Sequence, residues 1–328
     1  MRLKSRAVRI KEFGSPSVLK IEDEMVDEPG IGEIRIQHTV AGLNFIDIYQ
    51  RKGLLKAITG QPPMILGMEG SGVVESVGDD VVSFKKGDRV THCMNRGTYS
   101  DFMIVSEKRV VKIPDGISDE IAAASTLQGL TAQYLLHASW QLEPGQTVLV
   151  QAAAGGVGIF LCQWAKYIGA TVLGTVSSQE KADFAAENGC DHPILYTQVD
   201  FEQKVKDITD GRGVDLVVDA VGKDTVEKGL ACLAERGRLV SYGMSSGPME
   251  PVNVNLLRAR SASVAAAGLM TYTKNPTELR ERADSLFGML KSGNLIAHIK
   301  QTLPIEQVVK GHEDLEKRRT LGSTIFTL

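Results

Sequence analysis

Four short apolar runs recur along the second half of the chain: T-V-L-V-Q (147–151), T-V-L-G-T-V (171–176), V-D-L-V-V-D (214–219) and G-R-L-V-S-Y-G (237–243). A shorter run lies near 194–196. Helical stretches separate them. Near-continuous apolar strands alternating with helices predict a parallel sheet covered on both faces. A further strand near 262–266 is expected to close it. The first hundred residues read differently. The segments 31–44 and 71–78 alternate apolar and polar positions, and K-K-G-D-R-V (85–90) reads as a turn entering a strand. Only a stretch near 45–52 has helical spacing there. The texture changes after Ile113-Pro114-Asp115-Gly116, where Ser118 is placed to cap a helix that continues to about residue 138. Residues 276–328 predict one helix and a final strand, S-T-I-F-T-L, returning to the first domain. The fold class is therefore α/β: a β-rich domain over 1–122, a doubly wound parallel sheet over 123–265, and a return over 266–328.

Composition narrows the function classes. The 328 residues are 43% hydrophobic and 23% charged, with net charge −3. That balance is ordinary for a globular protein and carries no basic footprint for nucleic acid. The longest apolar stretch, 148–165, is interrupted by Gln151, glycines and Gln163, so no membrane span is expected. The four cysteines, at 93, 162, 190 and 232, form no C-x-x-C pair. This predicts no disulfide framework and fits a reducing cytoplasm. His92 and His137 read as isolated imidazoles, packed or at the surface.

The candidate chemistry begins at Q-A-A-A-G-G-V-G (151–158), between a strand and a helix. The dinucleotide fingerprint is G-x-G-x-x-G. Here Ala153 holds the first position, Gly155 the second and Gly158 the third, in a Rossmann-type βαβ series. Free N–H groups at the helix start, Gly155-Gly156-Val157, predict a phosphate site. An NAD site needs an acid about 20 residues further on to bind the ribose 2′-OH. The second strand ends instead in Ser177-Ser178-Gln179-Glu180-Lys181, hydroxyls followed by a lysine, with Glu180 already inside the next helix. That favours NADPH. Asp219-Ala220-Val221-Gly222 and Ser241-Tyr242-Gly243-Met244 fall at the same carboxyl edge, which makes Asp219, Val221, Tyr242 and Gly243 candidate cofactor walls.

Several motifs together resemble the medium-chain dehydrogenase/reductase superfamily: G-L-N-F-I-D (42–47), G-x-E-G-x-G-x-V-x-x-V-G (67–78), G-D-R-V (87–90) and A-A-A-G-G-V-G. Q-G-L-T (128–131), A-A-A-G-G-V-G-x-x-x-C-Q-W-A-K (152–166) and G-T-V-S-S-Q-E-K-A (174–182) are similar to its zinc-free quinone oxidoreductase, or ζ-crystallin-like, branch. The resemblance implies a GroES-like catalytic domain beside a Rossmann NADP-binding domain, and a homodimer. It implies that Asn44, Tyr49, Gln128 and Thr131 line the nicotinamide and substrate cleft. It implies a 2′-phosphate pocket of Ser177, Lys181 and Tyr196, and a C-terminal arginine, Arg318 or Arg319, that reaches the cofactor. Zinc relatives carry a cysteine and a histidine where this chain has Asn44 and Met68, so no metal is implied. Many bacterial members have Thr-Arg-Pro where this chain has Ala266-Ala267-Gly268, which removes charge and bulk. The expected activity is reduction of a quinone or another electron-poor acceptor. The alternatives are an enone or 2-enoyl-type reductase, or a structural protein that binds NADPH without turnover.

Overall fold

The computed structural model describes residues 2–55 and 60–328. In chain order the elements are β1 (Leu3–Ile10), β2 (Lys20–Val26), β3 (Glu33–Leu43), α1 (Phe45–Arg51), β4 (Met64–Ile65), β5 (Glu69–Val77), β6 (Arg89–Cys93), β7 (Phe102–Ser106), β8 (Val111–Lys112) and α2 (Asp119–Tyr134). Next come β9 (Thr147–Val150), α3 (Gly156–Ile168), β10 (Thr171–Val176), α4 (Gln179–Glu187), β11 (His192–Leu195), α5 (Phe201–Ile208), β12 (Val214–Asp219), α6 (Val226–Ala231), β13 (Leu233–Ser241) and β14 (Ser263–Ala266). The last are α7 (Leu269–Tyr272), α8 (Pro276–Lys291), β15 (Ile299–Pro304), α9 (Val308–Glu316) and β16 (Ser323–Thr327). They form two compact units: residues 1–127, 273–291 and 297–328, and residues 128–272 with 292–296. The division falls inside α2, later along the chain than the change in sequence texture.

The first unit is β-rich and GroES-like. Its larger sheet has seven strands in the order β15-β16-β3-β5-β6-β8, with β7 also on β3. The alternation in 31–44 buries Ile34 and Ile36 against Val74, Val90 and Val105. A second core gathers Val8, Ile10, Leu66, Leu303 and Phe326 around Tyr99, whose ring meets Phe326 edge-on at 5.3 Å. The chain's start was not legible as strand, because β1 and β2 carry charges that pair across the ladder, such as Lys4 with Asp23 and Arg9 with Glu24.

The second unit is the Rossmann sheet. Six strands, all parallel, run in the order β11-β10-β9-β12-β13-β14. The apolar runs form its middle: Val148, Leu149, Val150, Val172, Leu173, Leu216, Val217, Val218, Leu239 and Val240 are all fully buried. From β9 the chain winds outward through β10 and β11. It then crosses back to β12 and winds the other way, so the switch point lies between β9 and β12. Ser118 caps α2 through the Ile121 N–H at 3.2 Å, and the helix ends in a π-helical turn over Leu135–Ser139.

The tail departs from the expectation of one helix and one strand. Residues 276–328 hold two longer helices, α8 and α9, and the additional strand β15. I-K-Q-T-L-P is an edge strand in which only Leu303 is buried, so it has no apolar run to betray it. Residues 292–296 belong to the second unit because Leu295 is buried there and Gln163 exchanges hydrogen bonds with the Ile296 backbone, at 2.7 and 3.2 Å. Among the described residues no helix is long and apolar enough to cross a membrane.

Candidate functional site

The strands of the second unit end at one carboxyl edge, and the loop after β9 sits at the switch point. Thr175 organises it. Its hydroxyl donates to Gln151 Oε1 at 2.6 Å and accepts the Ala152 N–H at 3.2 Å, while its carbonyl accepts the Ala153 N–H at 3.1 Å. The left-handed residue of this turn is Ala152, with φ 58°. Ala153, in the first fingerprint position, therefore needs no glycine conformation. Its methyl has room because Gly174 lies against it: a Cβ on Gly174 would fall 2.5 Å from Ala153 Cβ. Gly155 caps α3, and its N–H closes the turn on the Ala152 carbonyl at 3.0 Å. The donors before the first intrahelical bond, Ile159 N–H to the Gly155 carbonyl, are thus those of Gly156, Val157 and Gly158. A Cβ on Gly158 would stand 2.3 Å from the Ala152 carbonyl oxygen, so α3 can start here only without one.

The other candidates of this unit gather at the same edge. Tyr196 donates its N–H to the Val176 carbonyl at 3.2 Å and Thr197 its hydroxyl to the Ser177 carbonyl at 3.3 Å, which joins the ends of β10 and β11. Ser178, read from the sequence only as one of the hydroxyls at this edge, also caps α4 by accepting the Lys181 N–H at 3.3 Å. Lys181 and Ser177 are half-buried; Glu180 is exposed. The Asp219 side chain is engaged within its own loop. Its buried carboxylate accepts the Val221 and Gly222 N–H groups, each at 2.8 Å, and the Thr225 hydroxyl at 2.6 Å. Its side chain shapes the loop that carries Val221. Tyr242 continues this edge, donating its N–H to the Asp219 carbonyl at 2.9 Å. Gly243 lets the two loops meet, since a Cβ there would lie 2.7 Å from the Ala220 carbonyl oxygen. Gln128 and Thr131 are buried on α2. Gln128 lies over the start of α3: a Cβ on Gly156 would fall 2.3 Å from Gln128 Oε1.

In the first unit, Asn44 caps α1, and Tyr49 sits on the same helix against Phe45. Behind Asn44 stand two fully buried carboxylates. Asp47 accepts the Asn44 N–H and the Tyr99 hydroxyl, both at 2.9 Å. Glu69 accepts Asn44 Nδ2 at 2.7 Å and the Leu127 N–H at 2.6 Å. Burial pushes Asp47 up to about 7 and Glu69 up to about 8, against the pull of these hydrogen bonds. Neither acid was singled out from sequence, although each lies inside a quoted motif. The available signal was an acid among residues otherwise fit for a core. Arg318 follows α9, which is tied to α1 by Arg51 with Glu316 at 2.7 Å. Arg318 itself is left-handed, φ 57°, and the Arg319 guanidinium lies 3.9 Å from Asp314.

The histidines are corrected in one respect. His92 is buried but not isolated, because its Nε2 lies 2.9 Å from His38 Nε2. His38 Nδ1 faces the Ser100 carbonyl at 2.9 Å and so carries the proton, leaving Nε2 to accept from His92. Burial holds His38 down at about 4 and His92 well below its ordinary value. His137 is exposed and rests edge-on against Trp164. Among the described residues no three His, Cys, Asp or Glu side chains come together as a metal site. Met68 is buried in the position beside Glu69.

A GroES-like unit joined to a Rossmann sheet, with a glycine turn at the switch point, is the build of the medium-chain dehydrogenases and reductases. Family models match accordingly: an alcohol dehydrogenase GroES-like domain over residues 30–115 and a zinc-binding dehydrogenase over residues 156–287. The chain is 43% identical over 324 residues to a quinone oxidoreductase of Pseudomonas aeruginosa, covering 98% of this chain and 99% of that one. It is 38% identical over 326 residues to a 2-haloacrylate reductase of a Burkholderia species, covering 98% of each. The crystal structure of Escherichia coli quinone oxidoreductase complexed with NADPH matches with a TM-score of 0.95 at 37% identity, over 98% of this chain and 100% of that one. The chain belongs to the quinone oxidoreductase branch of the medium-chain dehydrogenase/reductase superfamily.

The raised acids make stability depend on pH. The folded chain keeps protons on Glu69 and Asp47 that the unfolded chain releases from about 4.5 and 3.8 upward. Their contribution is full at low pH and is lost as pH rises through about 7 and 8. The lowered imidazoles act the other way, but only below their ordinary 6.5. Between pH 6.5 and 8.5 the urea midpoint should therefore fall, and Glu69→Gln should flatten that fall. Equal slopes in the two proteins would refute the assignment.

Proposed function

We propose that this protein is an NADPH-dependent reductase that passes reducing equivalents to quinones, without a catalytic zinc. The observation that carries the cofactor reading is the end of β10. Ser177 and Ser178 stand there, half-buried Lys181 follows, and no carboxylate precedes the exposed Glu180. Hydroxyls and an ammonium receive a 2′-phosphate, whereas an acid would repel it. The NADPH complex of the E. coli relative supports the same choice. The N–H groups of Gly156 and Val157 hold the pyrophosphate, with bare Gly155 allowing its approach. Ser177, Lys181 and Tyr196 take the 2′-phosphate. Val221, Tyr242 and Gly243 form a wall shaped by Asp219, and Arg318 is the C-terminal arginine assigned to the cofactor.

Bound NADPH supplies a hydride. The chain's own part is orientation, exclusion of water and hydrogen bonding to the charge that develops on the acceptor. Asn44, Tyr49, Gln128 and Thr131 are the residues assigned to it. Zinc independence rests on Asn44, whose amide is engaged by Glu69, and on Met68, whose thioether is not a usual zinc ligand. Quinones are the acceptor class named in the relatives from P. aeruginosa and E. coli. A second reading, hydride delivered to the carbon of an electron-poor alkene, is supported by the 2-haloacrylate reductase relative.

The purified protein should oxidise NADPH with quinones, and chelators should not slow it. Multi-ring ortho-quinones should outpace benzoquinone. Ala266 at the end of β14, with Ala267 and Gly268 after it, puts little bulk there, and a Cβ on Gly268 would meet nothing within 4 Å. Each added ring face then gains about 25 cal/mol per Å² removed from water. Turnover of 2-enoates or 2-haloacrylates without quinones would move the assignment to the second reading. No oxidation with any acceptor would leave a cofactor-binding protein.

NADPH should bind at least about tenfold more tightly than NADH, a difference of roughly 1.4 kcal/mol. Lys181→Ala should bring the two affinities close together, mainly by weakening NADPH. An unchanged preference in this variant would remove Lys181 from the 2′-phosphate pocket.

We also propose a homodimer in which β14 pairs with its symmetry mate. β14 is the last strand of its sheet, and the nearby Val254 and Leu256 are 66% and 69% exposed. Light scattering at micromolar concentration should give twice the chain mass; a monomer would rule the pairing out.

A further inference from the structure

Gln151 follows β9 with its side chain buried, and the two ends of its amide are treated differently. Oε1 accepts the Thr175 hydroxyl at 2.6 Å, while Nε2 is buried with no hydrogen-bond partner among the described residues. An unpaired buried donor is unfavourable. Gln151 is therefore not held here by a balanced set of bonds of its own; what it supplies is an acceptor. That acceptor sets the direction of a short relay. The Thr175 hydroxyl has one proton. With the proton on Gln151 Oε1, the hydroxyl oxygen accepts the Ala152 N–H at 3.2 Å. Each bond strengthens the other, because donating its proton polarises the hydroxyl oxygen.

Ala152 is the residue that needs holding. Its φ is 58°, in the left-handed region that is unfavourable for a residue with a Cβ. Its carbonyl accepts the Gly155 N–H at 3.0 Å and lies 2.3 Å from where a Cβ on Gly158 would stand. The rotation of Ala152 thus fixes the oxygen around which α3 starts, and with it the direction of the Gly156, Val157 and Gly158 N–H groups.

We propose that Gln151 and Thr175 are positioning residues for the cofactor: their relay holds Ala152 left-handed, and so keeps the first N–H groups of α3 set for the pyrophosphate of NADPH before it arrives. This rests on the assignment of those N–H groups to the pyrophosphate. Both side chains act through the turn. The relay does for Ala152 what a glycine there would do unaided, since glycine adopts this conformation without steric cost. Without the relay, Ala152 relaxes to ordinary backbone regions in most molecules. Only the remainder is ready to bind, and the apparent Kd rises by the inverse of that fraction.

The test compares two probes by calorimetry: NADPH, and adenosine 2′-monophosphate, which carries the 2′-phosphate end without a pyrophosphate. Q151M removes the acceptor and T175V removes the hydroxyl, each with little change in volume. Each should raise the Kd of NADPH about tenfold and leave that of adenosine 2′-monophosphate within about twofold. T175S keeps the hydroxyl and should stay within about threefold of the native Kd for NADPH. Adding A152G to Q151M should bring that Kd back to within about threefold as well, because glycine holds the turn without the relay. An unchanged Kd for NADPH in both Q151M and T175V would overturn the proposal. So would a Q151M/A152G protein that binds no better than Q151M, the result expected if Gln151 only fills space. Should T175V fail to fold, Q151M and its glycine rescue decide the matter. A native protein that binds adenosine 2′-monophosphate as tightly as NADPH would instead remove the pyrophosphate assignment, and the relay's role with it.

Discussion

A helix can begin directly behind a β-strand only where no side chain stands between the two backbones. Gly158 meets that condition against the Ala152 carbonyl oxygen. Much of the second unit's site follows from this contact. The close approach places the start of α3 beside the end of β9, at the switch point of the sheet, with its first N–H groups turned outward. It also forces a tight turn, which Thr175 holds from the neighbouring strand by three hydrogen bonds. The missing first glycine costs little because the left-handed conformation falls on Ala152 instead and Gly174 makes room for the Ala153 methyl. A degenerate fingerprint is thus compensated one strand away, where a pattern search along the turn does not look.

The two units supply different chemistry. The second offers mainly backbone donors and neutral or cationic side chains at its carboxyl edge. The first hides its charge: Asp47 and Glu69 are fully buried behind the cap of α1, and Arg51 is buried between the Gly14 carbonyl, His312 and Glu316. Buried charge is costly unless every lone pair and proton has a partner. These groups are retained where they orient something: Asn44 by the two acids, α9 by Arg51. The helix so anchored ends at Glu316, and two residues on Arg318 is left-handed, in a position where glycine is the usual choice.

The legible parts of this protein were those where one physical signal dominates. Buried parallel strands such as 147–151 and 214–219 declare themselves because both faces are apolar, and Ser118 and the glycine turn mark helix starts. The strands β1, β2 and β15 were not legible, because their outward faces carry charges or amides and their inward faces contribute few residues. Side-chain bonding at the candidate positions was not legible. Asp219 stands at the right edge, yet its carboxylate is consumed by Val221, Gly222 and Thr225. Gln128 was placed in the cleft, and in the structure its amide lies over Gly156. Glu69 was part of a quoted motif and gained its meaning only from the Leu127 N–H, far away in sequence. Linear spacing shows which residues are available; it does not show where their hydrogen bonds go.

That distinction bears on how one build serves different acceptors. The turn at 151–158 is held by backbone geometry and by Thr175 from the neighbouring strand. On the reading proposed above, discrimination falls to side chains: Lys181 and the absent acid at the end of β10, and the small residues 266–268. A relative named for quinones and one named for 2-haloacrylate match this chain at 43% and 38% identity along almost its whole length. With the scaffold shared to that extent, the choice between oxygen and carbon as the hydride's destination must come from a few side chains.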